Sequence, residues 1–397
     1  MHKFLTVDLP GTGGTIKESP EDFLVSELPL YQPCGVGEHT YVEIEKAGIT
    51  TLEAIRRLAR HLGVQERDVG YAGMKDAVGI TRQFVSVPRV APESVLNAEL
   101  PGMRVLSAAR HGNKLKPGHL AGNCFRIRIC EPAEHALEKA GEILEILRAR
   151  GVPNYFGAQR YGAQGNYPLV GRALLVGDGK GAVDAIIGMP DAVLDERWKA
   201  AIAAYRRGDL AESIAGMPGF CRTERDMLQR LARQPGAYDK ALHAVNPRLR
   251  KLYLSAYQSS LFDRVLEERL DGFDRVMEGD LAYKHANGAC FLVKDAGAEA
   301  ARAECFEISP SGPMFGCAMK WPEGLPLSIE EKVLGDEGLV LKQFDLPGGL
   351  RMDGERRPLR IPLQNPVAEM DGRSLVLEFS LPRGAYATSV LREVMKN

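Results

Sequence analysis

Lys75 and Asp76 sit side by side in Gly70-Tyr-Ala-Gly-Met-Lys-Asp-Ala-Val-Gly-Ile-Thr-Arg-Gln-Phe-Val-Ser-Val87. An aspartate with an ordinary pKa of about 3.9 is ionised at neutral pH, and a neighbouring cation keeps it so. Such a carboxylate suits nucleophilic attack on an electrophilic carbon better than proton donation, which needs a raised pKa. The competing reading is a solvated Gly/Asp surface turn, common on protein surfaces. The flanking residues favour a positioned loop. Val69–Ala72 and Phe84–Val87 read as strands, and Gly70, Gly73 and Gly79 let the backbone between them turn sharply and approach a ligand.

The elements around this loop follow from periodicity. Phe23 and Val25 share one side of an extended run. In Tyr41–Glu45, Val42 and Ile44 face one way and Tyr41, Glu43 and Glu45 the other. Thr50 and Glu53 form a capping-box pattern for a helix with a stripe of Leu52, Ile55, Ala59 and Leu62, stopped by Gly63. Leu106–Lys116 reads as basic and irregular. Phe125, Ile127 and Ile129 alternate with Arg126 and Arg128, so that one face enters a core and the other offers arginine to solvent or phosphate. Glu134–Arg150 is a second helix, ended by Gly151 and Pro153. Strands of alternating polarity mixed with helices predict an α+β domain with one sheet face exposed.

At Pro153-Asn-Tyr-Phe-Gly-Ala-Gln-Arg-Tyr-Gly162 the texture changes. Helices are expected from there to about Arg269, the clearest over Leu252–Leu270. Short strands and turns, such as Ser309-Pro-Ser-Gly-Pro313, are expected over Asp280–Pro347. Leu375, Leu377 and Phe379 alternate again before a turn and a last helix. Pro10-Gly-Thr-Gly-Gly14 is discarded as a phosphate loop, lacking a strand before it and a helix after it.

A chain of 397 residues is long enough for two domains, and 45% apolar with 26% charged residues is ordinary for a globular protein. No apolar run is long enough to span a bilayer and the opening residues have no signal-peptide core, so a cytoplasmic location is expected. The seven cysteines are scattered and form no Cys-x-x-Cys pair, which supports neither a disulfide framework nor a zinc knuckle. A net charge of -1 excludes an avid non-specific nucleic-acid coat. Two local basic stretches, Arg104–Arg128 and Arg351–Arg360, have the character of phosphate-tracking patches or of solvated charged faces.

Six separated pieces, in order, resemble the TruD family of tRNA pseudouridine synthases. They are Pro20-Glu-Asp-Phe23; Gly73-Met-Lys-Asp76 with Thr81 and Gln83; Gly122-Asn-x-Phe125; Pro153–Gly162; Leu254-Ser-Ala-Tyr-Gln-Ser-x-Leu-Phe262; and Gly384-Ala-Tyr-Ala-Thr-Ser-Val-Leu-Arg-Glu393. The resemblance implies a pseudouridine-synthase catalytic domain with a mixed, largely antiparallel sheet, residues 1–152 plus 358–397. An α/β insertion domain specific to the family, residues 153–357, interrupts it. It implies isomerisation of uridine to pseudouridine in tRNA, typically at position 13, with no cofactor and no metal. Asp76 is then the nucleophile, attacking C6 of uracil or C1′ of the ribose, or assisting deprotonation at C2′ to give a glycal. The base has to be flipped out of the RNA, with Phe23, Phe125 and Tyr386 for stacking and Asn123 for polar-edge contacts. Lys17 and Lys75 meet phosphate or stabilise the Asp76 carboxylate. Two positions depart from the family pattern: Ala77 stands where many members have a basic residue, and Tyr386 where a Phe is common.

Two rival readings share the loop and the charge but not the six pieces. One is a glycosidase-like hydrolase in which Glu18 or Asp22 partners Asp76. The other is an RNA-binding module without chemistry.

Overall fold

Strands form on both sides of the Asp76 loop, and the second is longer than its apolar signature. In the computed structural model, which describes residues 3–96 and 98–397, Phe4–Val152 and Ile361–Asn397 make one unit and Pro153–Arg360 another. In the first unit the elements are β1 (Phe23–Pro29), β2 (His39–Ala47), α1 (Thr51–Leu62), β3 (Ile80–Pro88), β4 (Met103–His111), β5 (Leu120–Cys130), α2 (Ala136–Arg150), β6 (Gln364–Asp371), β7 (Ser374–Pro382) and α3 (Ala387–Met395). The strands lie in the order β6-β7-β5-β1-β3-β2-β4, with Thr15–Ile16 added on β5 and Gly70–Tyr71 on β3. Every pairing is antiparallel except β1 with β3. Together with its helices this is an α+β fold with a mixed, largely antiparallel sheet.

The parallel pair divides the covered face of the sheet. On one side Phe125, Ile127, Leu377 and Phe379 pack against Ala140, Ile143, Leu144 and Leu147 of α2 and Val390, Leu391 and Val394 of α3. On the other, Val42, Ile44, Val85 and Val87 pack against Ala54, Ile55, Leu58 and Ala59 of α1. Thr50 caps α1 by accepting from the Glu53 amide at 3.2 Å, and Gly63 ends it at φ 65°. Leu52, expected on the buried stripe, faces solvent instead, and Leu58 takes its place.

The opposite face carries cross-strand ion pairs. Glu45 meets Arg82 at 2.8 Å and Arg104 at 2.9 Å, and Arg126 meets Glu378 at 2.8 Å. Arg128 is engaged by Asp371 and lies 3.5 Å from Asp22. The arginines that the sequence offers to phosphate are thus neutralised by carboxylates of strands distant in sequence. Leu106–His111, expected to be irregular, belongs to β4: its basic residues hide an alternation completed by pairing with β2.

The tail is laced to the chain's opening residues. The amides of Leu5 and Thr6 and the Thr6 hydroxyl donate to the buried Glu393 carboxylate, and Thr12 N donates to Val394 O at 2.8 Å.

Pro153–Arg360 is helical through Tyr167–Val176, Gly179–Ile187, Glu196–Arg206, Leu210–Gly216, Arg222–Arg233 and the long Pro247–Arg269. A four-stranded antiparallel sheet follows, ordered Cys290–Leu292, Leu281–Lys284, Ile308–Met314, Glu355–Pro358. Two results differ from the expectations above. Helices Ala296–Glu304 and Gly324–Asp336 stand where short strands and turns were expected. Ser309–Pro313 is not a turn but part of a fully buried inner strand. That strand pairs with Leu281–Lys284 along Ile308–Pro310 and with Glu355–Pro358 along Ser311–Met314, so its prolines interrupt no ladder that is continuous on both sides. Among the described residues no helix is long and apolar enough to cross a membrane.

Candidate active site

Where the two apolar layers meet, the covered face turns polar. The register places Glu27 opposite Asn123, Val25 opposite Thr81, and Thr81 opposite Lys46, with Gln83 two residues further along β3. Glu27, Lys46, Thr81 and Gln83 are all buried. The Asp76 loop joins this polar seam.

The loop is held from within. Lys46, 1% exposed, donates from Nζ to the carbonyl oxygens of Ile49 at 2.8 Å, Asp76 at 2.8 Å and Lys75 at 3.3 Å. The Lys75 amide donates to Thr51 Oγ1 at 2.8 Å, and the Thr51 hydroxyl donates to Gln83 Oε1 at 2.9 Å, tying the loop to the first turn of α1. The Gly48 amide donates to Ala77 O at 3.1 Å. Gly79, at φ +100°, lies against Phe23. A Cβ there would stand 2.4 Å from the Phe23 carbonyl oxygen, so only glycine lets the loop descend onto β1. The backbone of Asp76 is fixed and its side chain is exposed.

Lys75 turns away from solvent. Its Nζ reaches Asn123 Oδ1 and lies 3.6 Å from Glu27 Oε2, with the Lys75 and Glu27 side chains 7% and 1% exposed. Burial pulls the Lys75 ammonium below its usual range and Glu27 opposes this; burial pushes the Glu27 carboxyl up and Lys75 opposes that. Each needs the other to remain charged. The cation facing the Asp76 segment from below is Lys46, brought down to about 8 by burial, with the Asp76 charge opposing and the Lys75 charge adding to the fall.

Lys75→Met strands the Glu27 carboxylate without its cation, and a loss of about 3 kcal/mol of folding stability is expected. In Lys75→Met/Glu27→Gln much of that loss should return. Urea melts of the two variants test this, and equal stabilities would mean that the pair carries no coupling.

Phe23 and Phe125 meet edge to face at 6.5 Å, and Phe125 lies 5.5 Å from Phe379, within the apolar layer under α2 and α3. Lys17 Nζ lies 4.3 Å from the centre of the Phe23 ring, on a backbone with φ 64°. Tyr386 is half-buried and opens α3 as its N-terminal cap residue. The loop before it is anchored by Arg383, which donates to Gly118 O at 2.9 Å, while the Gly118 amide donates to Ala72 O at 2.8 Å. The carboxylates considered for a hydrolase have local partners: Asp22 accepts from the Ser19 amide at 2.7 Å, and Glu18 accepts from the Thr15 hydroxyl.

Glu27 and Lys46 were not singled out from the sequence, although a signal exists. Glu27 shares its side of β1 with Phe23 and Val25, and Lys46 shares its side of β2 with Val42 and Ile44. A charge that continues an apolar alternation is either the end of the strand or a buried functional group.

In the other unit, Pro153–Gly162 docks on the helix that carries Leu254–Phe262. Phe156 N donates to Asp263 Oδ1 at 3.1 Å, the Tyr161 hydroxyl also bonds Asp263, and Arg160 Nε donates to Ser259 Oγ at 3.0 Å. Two of the six pieces thus meet inside Pro153–Arg360.

The family model described as tRNA pseudouridine synthase D (TruD) matches residues 1–394. A protein of Geotalea daltonii named tRNA pseudouridine synthase D is 64% identical over 397 residues, covering 100% of both chains. One of the same name from Geobacter sulfurreducens is 64% identical over 394 residues, covering 99% of this chain and 97% of its own. A crystal structure from Methanosarcina mazei, described as a putative tRNA pseudouridine synthase D (TruD), superposes with a TM-score of 0.85 at 27% identity, covering 100% of this chain and 96% of that one. The exposed aspartate on its clamped loop lies within a match that runs almost from end to end, on a fold shared with a solved relative: the chain belongs to the tRNA pseudouridine synthase D (TruD) family.

Proposed function

We propose that the protein isomerises uridine 13 of tRNA to pseudouridine, with Asp76 as the nucleophile acting on a base flipped out of the RNA. The observation that carries the reading is the loop itself: a buried ammonium fixes the Asp76 carbonyl while the carboxylate is exposed to whatever approaches. The reaction breaks N1–C1′, turns the uracil and forms C5–C1′, with the C5 proton lost and one gained at N1, so no redox partner is required. Asp76 attacks C6 or C1′, or assists loss of the C2′ proton. All three use an ionised, exposed carboxylate. Asn123 suits the polar edge of the base, since Lys75 occupies and orients its Oδ1 and the Nδ2 group is the donor it offers. Phe23 and Tyr386 supply apolar surface, with Lys17 above Phe23 as a phosphate contact. Phe125 supports Phe23 from within the apolar layer. In this reading residues 1–152 with 358–397 are the catalytic domain, and residues 153–357 are an insertion that helps to hold the tRNA.

The test is to incubate the protein with an unmodified tRNA transcript and map pseudouridine by carbodiimide-adduct primer extension. A single stop at position 13 is expected. A stop at another uridine would move the target, and release of free uracil would replace isomerisation with hydrolysis.

A further inference from the structure

Pro153–Arg360 contains a cavity of about 450 Å³ away from the Asp76 loop in sequence and wholly within its own unit. One wall is a ridge of the long helix. Lys251 and Ser255 lie one turn apart on it, and Ser259, one turn further, holds the Arg160 side chain. The Ser255 and Ser259 hydroxyls both accept from Arg160, at 2.5 Å and 3.0 Å, so its guanidinium is oriented by neutral groups, and no carboxylate pairs with it among the described residues. Lys251 is exposed and has no hydrogen-bond or ion-pair partner among the described residues.

The other arginines of the wall are used differently. Arg356 is closed by two hydrogen bonds to the buried Glu330, and Arg351 by Asp353 and Asp345. Arg357 lies over the Phe156 ring at 4.3 Å, and Arg160 reaches the same ring at 5.4 Å. The Phe156 ring is therefore already shared by two guanidinium groups, which gives it the role of stiffening two cations. The helix begins with Arg248, Arg250 and Lys251 and has no acidic residue in its first turn. Cations at the positive end of a helix dipole are unfavourable unless an anion joins them.

We propose that this cavity binds a phosphodiester of the tRNA backbone through Arg160 and Lys251, a contact that grips without reading sequence. The proposal rests on the reading that tRNA is the substrate. Arg160 supplies an oriented donor fork and Lys251 a mobile point charge, the complementary pair for a tetrahedral anion. A second grip outside the catalytic domain lets the enzyme select the folded tRNA rather than any uridine-bearing strand.

The experiment measures affinity of the full chain for an unmodified tRNA by fluorescence anisotropy across a series of salt concentrations, alongside single-turnover pseudouridine formation at saturating protein. Lys251→Glu, a substitution at an exposed position, is expected to raise Kd about tenfold, while the saturated rate stays within about twofold. Lys251→Gln should make the slope of log Kd against log salt shallower by about one. Arg160→Gln should behave like Lys251→Glu. Circular-dichroism melts check that each variant folds.

Unchanged Kd and salt slope in Lys251→Glu and Lys251→Gln overturn the proposal, as does a loss confined to the saturated rate. Binding is read apart from turnover, so the two readings fail separately. A wild-type chain that binds tRNA but makes no pseudouridine defeats the catalytic reading and leaves the cavity's test intact. An active enzyme whose Lys251→Glu variant binds normally defeats the cavity alone, and a wild-type chain that does not bind tRNA defeats both.

Discussion

Asp76→Asn is expected to abolish pseudouridine formation, a fall of about 10³-fold or more, with tRNA affinity within about twofold of wild type. The amide has nearly the shape of the carboxylate and the loop does not use the side chain for its own support. The segment is held by Lys46 Nζ donating to the Asp76 and Lys75 carbonyls and by the Lys75 amide donating to Thr51 Oγ1. On the proposed role the substitution removes the nucleophile, and with it the negative charge that opposes the fall of Lys46. Primer-extension mapping gives the turnover, and anisotropy gives the affinity. A variant that retains more than a few per cent of the rate would sink the assignment of Asp76, whereas a matching loss of affinity would make it a binding residue.

Lys46→Met is expected to lower the saturated rate about 10²-fold with a smaller change in affinity, because a misplacement of about 1 Å at a reacting group is enough for such a loss. Three carbonyls of the segments around Asp76 lose their common donor. The pH dependence separates this from general damage. Folded Lys46 titrates at about 8 against its ordinary 10.5. Between those values the unfolded chain binds more protons, so the stability withheld by burying the ammonium returns as pH rises from about 8. Over the same rise the loop loses one donated hydrogen and the charge beneath Asp76, and the rate should fall. Stability and rate thus move in opposite directions from pH 7 to about 9.5, and neither of these changes survives in Lys46→Met. Urea melts and single-turnover rates across this range are the measurement. A wild-type rate that stays flat while stability climbs would mean that the ammonium's charge is not needed to hold the loop.

How far the amino-acid sequence discloses each element depends on whether that element's partners are near in the chain. The Asp76 loop is legible because glycines and flanking strands lie within one short stretch. Helix α1 is legible because Thr50, Glu53 and Gly63 signal its ends locally, yet its stripe is misdrawn at Leu52, where periodicity alone cannot fix the rotation of a helix. Arg126 and Arg128 read as open to phosphate because Glu378 and Asp371 are more than half the chain away. Lys75 reads as a companion of Asp76 for the same reason: its partners Glu27 and Asn123 come from two other strands. The buried strand Ile308–Met314 is hidden by its two prolines, which ordinarily mark turns. They are tolerated here because its pairing passes from one neighbour to the other.

The pairing of β7 with β5 has a further consequence for how the protein is made. Strand β5 is synthesised early, but its neighbour across eight registered residues, Gly122 to Ile129, arrives only after the whole of Pro153–Arg360 has been translated. Until then one edge of an apolar sheet is open and α2 lacks the helix that packs beside it. Pairings so distant in sequence form slowly, and exposed strand edges invite association with other chains. The sheet thus waits for its border throughout the synthesis of the intervening unit, and any apolar surface that unit leaves unburied in that time is a competing partner for the open edge.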